Sequence, residues 1–157
     1  MMKLVGLPTV LKNLNKEIKK MEGTTLKGLI RAAIIVRRDM EVTSPKVPVD
    51  TRNLDSSFFI VASDGNMASA APVFKGKHAG ARTAEHSQVV SSSLGRAVSA
   101  KRPTVVLGFS ASYAWFVHEN IGATFQRPGA GAKFFEAGLK RNTPKMLKII
   151  AQEAKIK

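Results

Sequence analysis

The sequence predicts an α+β domain. Three observations carry that reading: apolar residues recur at helical spacing near both ends of the chain, two short runs rich in β-branched and aromatic residues lie between them, and the stretch separating those runs is poor in large side chains. A chain of 157 residues is the size of one domain, and folding at that size hides about 68–70% of the unfolded surface, enough for a core. With 44% hydrophobic and 23% charged residues the composition is that of a globular chain and not a disordered one. The domain is read as residues 1–157, with an extended basic segment, 63–103, inserted within it.

Thr9 follows Pro8 and is placed to cap a helix in which Leu11, Leu14, Ile18 and Met21 fall three and four residues apart, with Lys12, Lys16, Lys19 and Lys20 around the rest of the circumference. Gly23-Thr24-Thr25 interrupts this run, and the apolar set resumes at Leu26, Leu29, Ile30, Ala33, Ile34 and Met40. The expectation is one bent helix or two helices, ending near Glu41. Ser44-Pro45 forces the stop, because the residue before a proline is pushed out of the helical region. Residues 47–58 read VPVDTRNLDSSF. There Pro48 favours an extended path, and Asp50 or Thr51 can accept a backbone N–H and cap a short turn running through Leu54. Phe58 to Val61 then reads as a strand.

From Ser63 to Pro103 the composition changes to Ala, Ser and Gly with scattered charge. So long a structureless stretch is unusual inside a domain, and the expectation is a projecting arm or hairpin, paired around Gln88 to Ser91, or a loop ordered by a partner. Lys75, Lys77, Arg82, Arg96, Lys101 and Arg102 outweigh Asp64 and Glu85, so the arm is basic, and its His78 and His86 read as solvated. Thr104 to Phe109 is the clearest strand, and its nearly unbroken apolar run points to a central position. Ser110 and Ser112 offer caps for a short helix over Tyr113 to Asn120, YAWFVHEN. A glycine loop spans 122–131. Lys133 opens the last helix, with Phe135, Leu139, Met146 and Ile150 on one face and Lys133, Lys140, Arg141, Lys148 and Lys155 on another. Thr143-Pro144 can cap and restart that helix, so a kink is expected.

Function is bounded next by charge. Twenty-five Lys and Arg against 11 Asp and Glu give a net charge of +14, which favours polyanionic partners, although solvated helix faces give the same sum. No apolar run approaches the roughly 18 residues that span a bilayer, and the start of the chain is too short for a signal peptide, so a soluble chain in the cytoplasm and no membrane partner are expected. The absence of cysteine removes disulfides, thiolate nucleophiles and sulfur-ligated zinc, leaving packing or assembly to stabilise the fold.

The catalytic motifs each fail at one position. His118-Glu119 opens HExxH, but residue 122 is Gly122 where histidine is needed. Gly129-Ala130-Gly131-Ala132-Lys133 continues with Phe134 instead of the Ser or Thr of a phosphate loop, so it reads as a glycine loop that lets the last helix start close to another backbone. Gly108-Phe109-Ser110-Ala111-Ser112 misses the nucleophile elbow at its final serine. An enzyme reading rests on Asp50, Asp55 and Glu119 alone and is set aside. No catalytic residue, metal or cofactor is expected, and Asp50 with Thr51 is read as a structural cap. The basic residues Lys101, Arg102, Lys140, Arg141 and Lys148 form a candidate DNA-facing surface, non-specific because no base-reading module is present.

Taken in order, the long amphipathic helix, PVDTRNLDSSF, VVLGFSASYAWFVHEN and KFFEAGLKRNTPKMLKII resemble the tail-completion, or head-tail joining, family of tailed bacteriophages. Proteins of that family look like a helix followed by P-V-D-T-G-x-L-R-x-S, a strand running into Y-A-x-x-V-E, a glycine loop and a helix beginning K-F or P-F. The match covers residues 9–62 and 103–156, with Arg52 in place of the family glycine and Asp55 in place of its arginine. The resemblance implies a small antiparallel sheet flanked by the first and last helices, and a virion protein that forms a homo-oligomeric ring, a hexamer by preference, at the neck joining the DNA-filled capsid and connector to the tail. Other neck, connector and tail proteins are then its partners, with non-specific contact with genomic DNA besides. Tyr113, Trp115 and Phe116, with Lys75 and Arg82 of the arm, are the expected subunit contacts, the aromatics serving as anchors. The rival expectation is a small, basic, non-specific nucleic-acid-binding protein.

Overall fold

The computed structural model describes residues 7–154; the apolar start of the chain and the Lys155 of the last basic row lie outside the described residues. Seven elements follow in order: α1 (Leu7–Val42), α2 (Asn53–Ser56), β1 (Phe58–Ala62), α3 (Ala79–Ser99), β2 (Val105–Phe109), α4 (Ala114–Glu119) and α5 (Phe134–Glu153). The fold is α+β: a two-stranded antiparallel sheet, with Phe58 opposite Phe109 and Ala62 opposite Val105, packed with a long N-terminal and a C-terminal helix.

Helix α1 runs unbroken through Gly23-Thr24-Thr25. Nothing packs within 4 Å of a side chain built at Gly23, and the Thr24 hydroxyl donates back to the carbonyls of Lys20 and Met21 at 3.2 and 3.0 Å, so the local polar group is satisfied inside the helix. Helix α5 likewise continues through Pro144. Asn142 and Thr143 side chains donate to the carbonyls of Gly138 and Leu139, both at 2.8 Å, and the helix does not restart at the proline as expected.

The strand Phe58-Phe59-Ile60-Val61-Ala62 is buried along its whole length because it is covered on both faces. Its alternate residues point opposite ways. Phe58 and Ile60 join Ala33, Val36, Met40, Val47, Leu54 and Phe134 in the main core, while Phe59 and Val61 meet Val90 of α3 on the other side. Strand β2, expected to be central, is half-buried throughout; it pairs with β1 alone among the described strands.

The expected arm is a correction. Its residues 79–99 form α3, which packs on the sheet. The inward face is His86, Val90, Ser93 and Ala97, spaced four, three and four. Its buried positions hold one large aliphatic residue, Val90, with Val89 and Leu94 partly buried beside it, so the helical period is only weakly marked there. His86 is buried, not solvated. It lies edge-on to the rings of Phe59 and Phe74, and its Nδ1 is 2.8 Å from the Ser110 hydroxyl. Burial holds its pKa below the ordinary histidine value. Ser110 is thereby engaged, and the Ser112 backbone N–H donates to Glu85 at 2.9 Å. Neither serine caps α4, whose N-terminal flanking residue is Tyr113.

Candidate interaction site

The segment 44–57 is bolted in place from outside. Arg127 donates to the carbonyls of Val47 and Glu41 at 3.0 and 2.6 Å, and the Lys46 N–H donates to the Gly129 carbonyl at 2.8 Å. A side-chain carbon at Gly131 would stand 3.0 Å from that of Pro45, so this glycine permits the close approach of the loop before α5.

Neither Asp50 nor Thr51 caps α2. The position before the helix is taken by Arg52, in the left-handed region at φ 64° and ψ 5°, with no side-chain cap. The organiser is Asn53, only 3% exposed. Its amide donates to the Thr51 hydroxyl at 2.8 Å and to the Lys75 carbonyl at 3.1 Å, and accepts from the Lys75 N–H at 2.7 Å. This two-way bond satisfies a buried amide and staples the turn to the segment leading into α3. Its partner lies 22 residues along the chain, so no local signal announces it.

Between the turn, residues 75–78, the start of α3 and α4 lies a cleft of about 440 Å³. Leu54, Tyr113, Val117 and Phe125 supply its apolar lining, and Lys75, Lys77 and Arg82 its cations; Asp50 is its one carboxylate. Arg82 also donates to the Lys75 carbonyl at 3.0 Å. None of these three cations forms a salt bridge among the described residues, whereas Lys27, Arg31, Arg37, Lys133 and Arg141 each pair with a carboxylate of another element. Burial, aided by Glu85 and Asp50 and opposed by Arg82, raises the Tyr113 pKa, so its hydroxyl keeps its proton. Such a cleft offers apolar surface to a side chain and unpaired cations to a carboxylate.

Five residues singled out from the sequence, Asp50, Thr51, Lys75, Arg82 and Tyr113, therefore meet in one place. Phe116, three residues on from Tyr113, shares its side of α4 and is 64% exposed, while Trp115 is 73% exposed. Ile121 is also exposed, at 78%, and a lone isoleucine after a helix carries no pattern that would single it out.

The basic set is dispersed. Lys140 pairs with Glu136 at 2.6 Å. Arg141 clamps α5 to α1, donating to Asp39 at 2.6 and 3.1 Å and to the Ser44 carbonyl at 3.0 Å. Burial raises the Asp39 pKa, but the Arg141 hydrogen bonds and charge outweigh it and hold the carboxyl below its usual value. Lys148 is exposed on α5. Lys101 and Arg102 line a separate basin with Lys19, Glu22 and Leu26.

The three acids weighed for an enzyme are also apart. Asp55 pairs with Arg37, Asp50 stands at the cleft, and Glu119 bonds Lys133 and, at 2.7 Å, His118. Those two bonds, that of Lys133 first, hold the Glu119 pKa low, and Glu119 in turn raises that of Lys133. Among the described residues no three His, Asp or Glu side chains gather as metal ligands.

Comparison with protein-family models, with curated proteins and with solved structures finds no match to this chain.

Proposed function

We propose that this chain is a structural subunit of a tailed-bacteriophage virion, a neck or tail-completion protein that assembles with copies of itself into a ring joining capsid and connector to the tail. One observation carries the reading. Arg52, which replaces the glycine of the motif it resembles, has the left-handed backbone that glycine adopts without strain. The turn thus keeps the geometry that a P-V-D-T-G sequence favours. The second departure is accommodated too, since Asp55 pairs with Arg37 of α1, whose guanidinium lies 4.7 Å from the centre of the Phe58 ring.

The assembly part of the proposal is supported by the surface. Trp115, Phe116 and Ile121 are exposed, and exposed aromatics of this kind serve as interface anchors. At 73% exposure Trp115 contributes little to the core, so Trp115→Ala is expected to weaken assembly without lowering the melting temperature. A phage lacking this gene is expected to leave DNA-filled heads and finished tails unjoined in electron micrographs of its lysates. Intact joined particles would overturn the proposal.

A second reading, a basic non-specific nucleic-acid-binding protein, is favoured by the free face of α1. Lys12, Lys16, Lys19 and Lys20 are exposed there, and Lys19 shares a basin with Lys101 and Arg102. It predicts duplex binding whose logarithm falls with log salt by about 0.9 per phosphate contacted. Binding that ignores salt would exclude it.

A further inference from the structure

The cleft needs an apolar segment edged with carboxylates, and the chain carries one that its own fold leaves uncovered. Every side chain from Thr9 to Gly23 is exposed, including Leu11, Leu14, Ile18 and Met21, which form one stripe at the helical period. At 3.6 residues per turn Glu17 and Glu22 fall on the two borders of that stripe, and Lys12, Lys16, Lys19 and Lys20 fall on the opposite half. Glu17 has only an exposed pairing with Lys20 at 3.9 Å, which holds it weakly.

The stripe cannot reach the cleft of its own chain. Val47 bonds the Met40 carbonyl, so Pro48 and Asp50 hold the cleft at the C-terminal end of α1. Ile18 lies about 36 Å back from that end along an unbroken helix rising 1.5 Å per residue. Donor and acceptor surfaces at opposite ends of one rigid element are what a head-to-tail contact requires, and such contacts close into rings or run on as filaments.

The geometry points to a docking contact in which the free half of α1 inserts into the cleft of a second copy of this chain, its apolar stripe against Tyr113, Val117 and Phe125 and its Glu17 and Glu22 against Lys75, Lys77 and Arg82. The contact is a helix-in-groove interface with anchors spaced three and four residues apart. It rests on the self-assembling part of the reading above and names the surfaces that assemble. The lysine face of the docked helix stays outward, open to a polyanion.

The chain has no cysteine, so introduced thiols react alone. Ile18→Cys and Phe116→Cys, both at exposed positions, are to be prepared separately and treated with a short thiol-specific cross-linker. A cross-linked dimer is expected only when the two variants are mixed. Dimer formation by Ile18→Cys alone would mean that α1 pairs with α1 and would overturn the proposal. In parallel, Leu14→Asp with Ile18→Asp is expected to weaken association by about 30-fold or more in light scattering, with an unchanged melting temperature showing that the fold persists. An oligomer indifferent to these changes, with no cross-link on mixing, overturns the docking contact and leaves the ring standing. A wild-type chain that stays monomeric at every concentration overturns both, and the deletion lysate judges the neck assignment separately.

Discussion

Residues 9–23 and 26–40 of α1 carry apolar side chains at the same three- and four-residue spacing, yet the first set lies open to solvent and the second holds the core. The difference lies in what stands opposite. Small residues let α5 close on the second half: a side-chain carbon at Gly28 would meet the Ile150 Cα at 3.0 Å, and one at Gly138 would meet the Met40 side chain at 3.0 Å. Ion pairs from Arg31 and Lys27 to Glu153 and from Arg141 to Asp39 then fix the pair of helices along its length. Helix α5 ends at Glu153, level with Gly28, and no other described element covers the first half. Periodicity therefore makes an amphipathic helix, but the partner's length decides whether the apolar face is core or surface.

The contrast can be broken most sharply at Met40, which is fully buried. Met40→Ala is expected to cost about 2–5 kcal/mol in urea unfolding, whereas Leu14→Ala stays within about 0.5 kcal/mol for the monomer. Equal losses would mean that the free half is packed in solution. Gly28→Val is next, at about 1–3 kcal/mol, because its new methyls press on the Ile150 backbone; a neutral result would show that α1 and α5 can separate without penalty. Arg52→Gly is expected to stabilise by about 1 kcal/mol, relieving a left-handed arginine, and a loss of stability would show that the side chain holds the turn. Gly23→Ala, in the free half with nothing within 4 Å, is expected to gain about 0.5–1 kcal/mol, opposite in sign to the change at Gly28.

The smallest effect is a pH dependence on the other side of the sheet. His86 has a folded-state pKa below its ordinary value, so the unfolded chain takes up a proton first, near pH 6.5. Its contribution to stability is complete above that pH and is lost as pH falls below it. The carboxylates Asp39, Glu119 and Glu136 have lowered pKa values and lose their contributions only at more acid pH. Melting temperatures of wild type and His86→Phe are expected to converge between about pH 7 and 5; parallel curves would show that His86 does not titrate with unfolding.

Much of the architecture is local and was legible. The long first helix, both strands, the short YAWFVHEN helix and the last helix follow from spacing, β-branching and proline position. Helix α3 was not, because its buried positions are His86, Ser93 and Ala97 around Val90, with Val89 and Leu94 only partly buried, so its apolar period is weak within an Ala- and Ser-rich stretch. Of the site, Tyr113, Lys75 and Arg82 were legible as aromatic and basic residues, while Asn53 and Arg127 were not, since both act on backbone atoms far away in the chain.

The sequence by itself determined the first and last helices, the two strands and the short helix after the second strand, that the chain is strongly basic, and that no thiol chemistry is available to it; these depend on residue type and short-range spacing. The tertiary structure alone decided which apolar stripe is buried, which cations keep a carboxylate and which are left in the cleft, and that Asp50 and Thr51 line that cleft instead of capping a helix. Those outcomes depend on distances between residues remote in the chain, and such distances are set only once the helices have closed on the sheet.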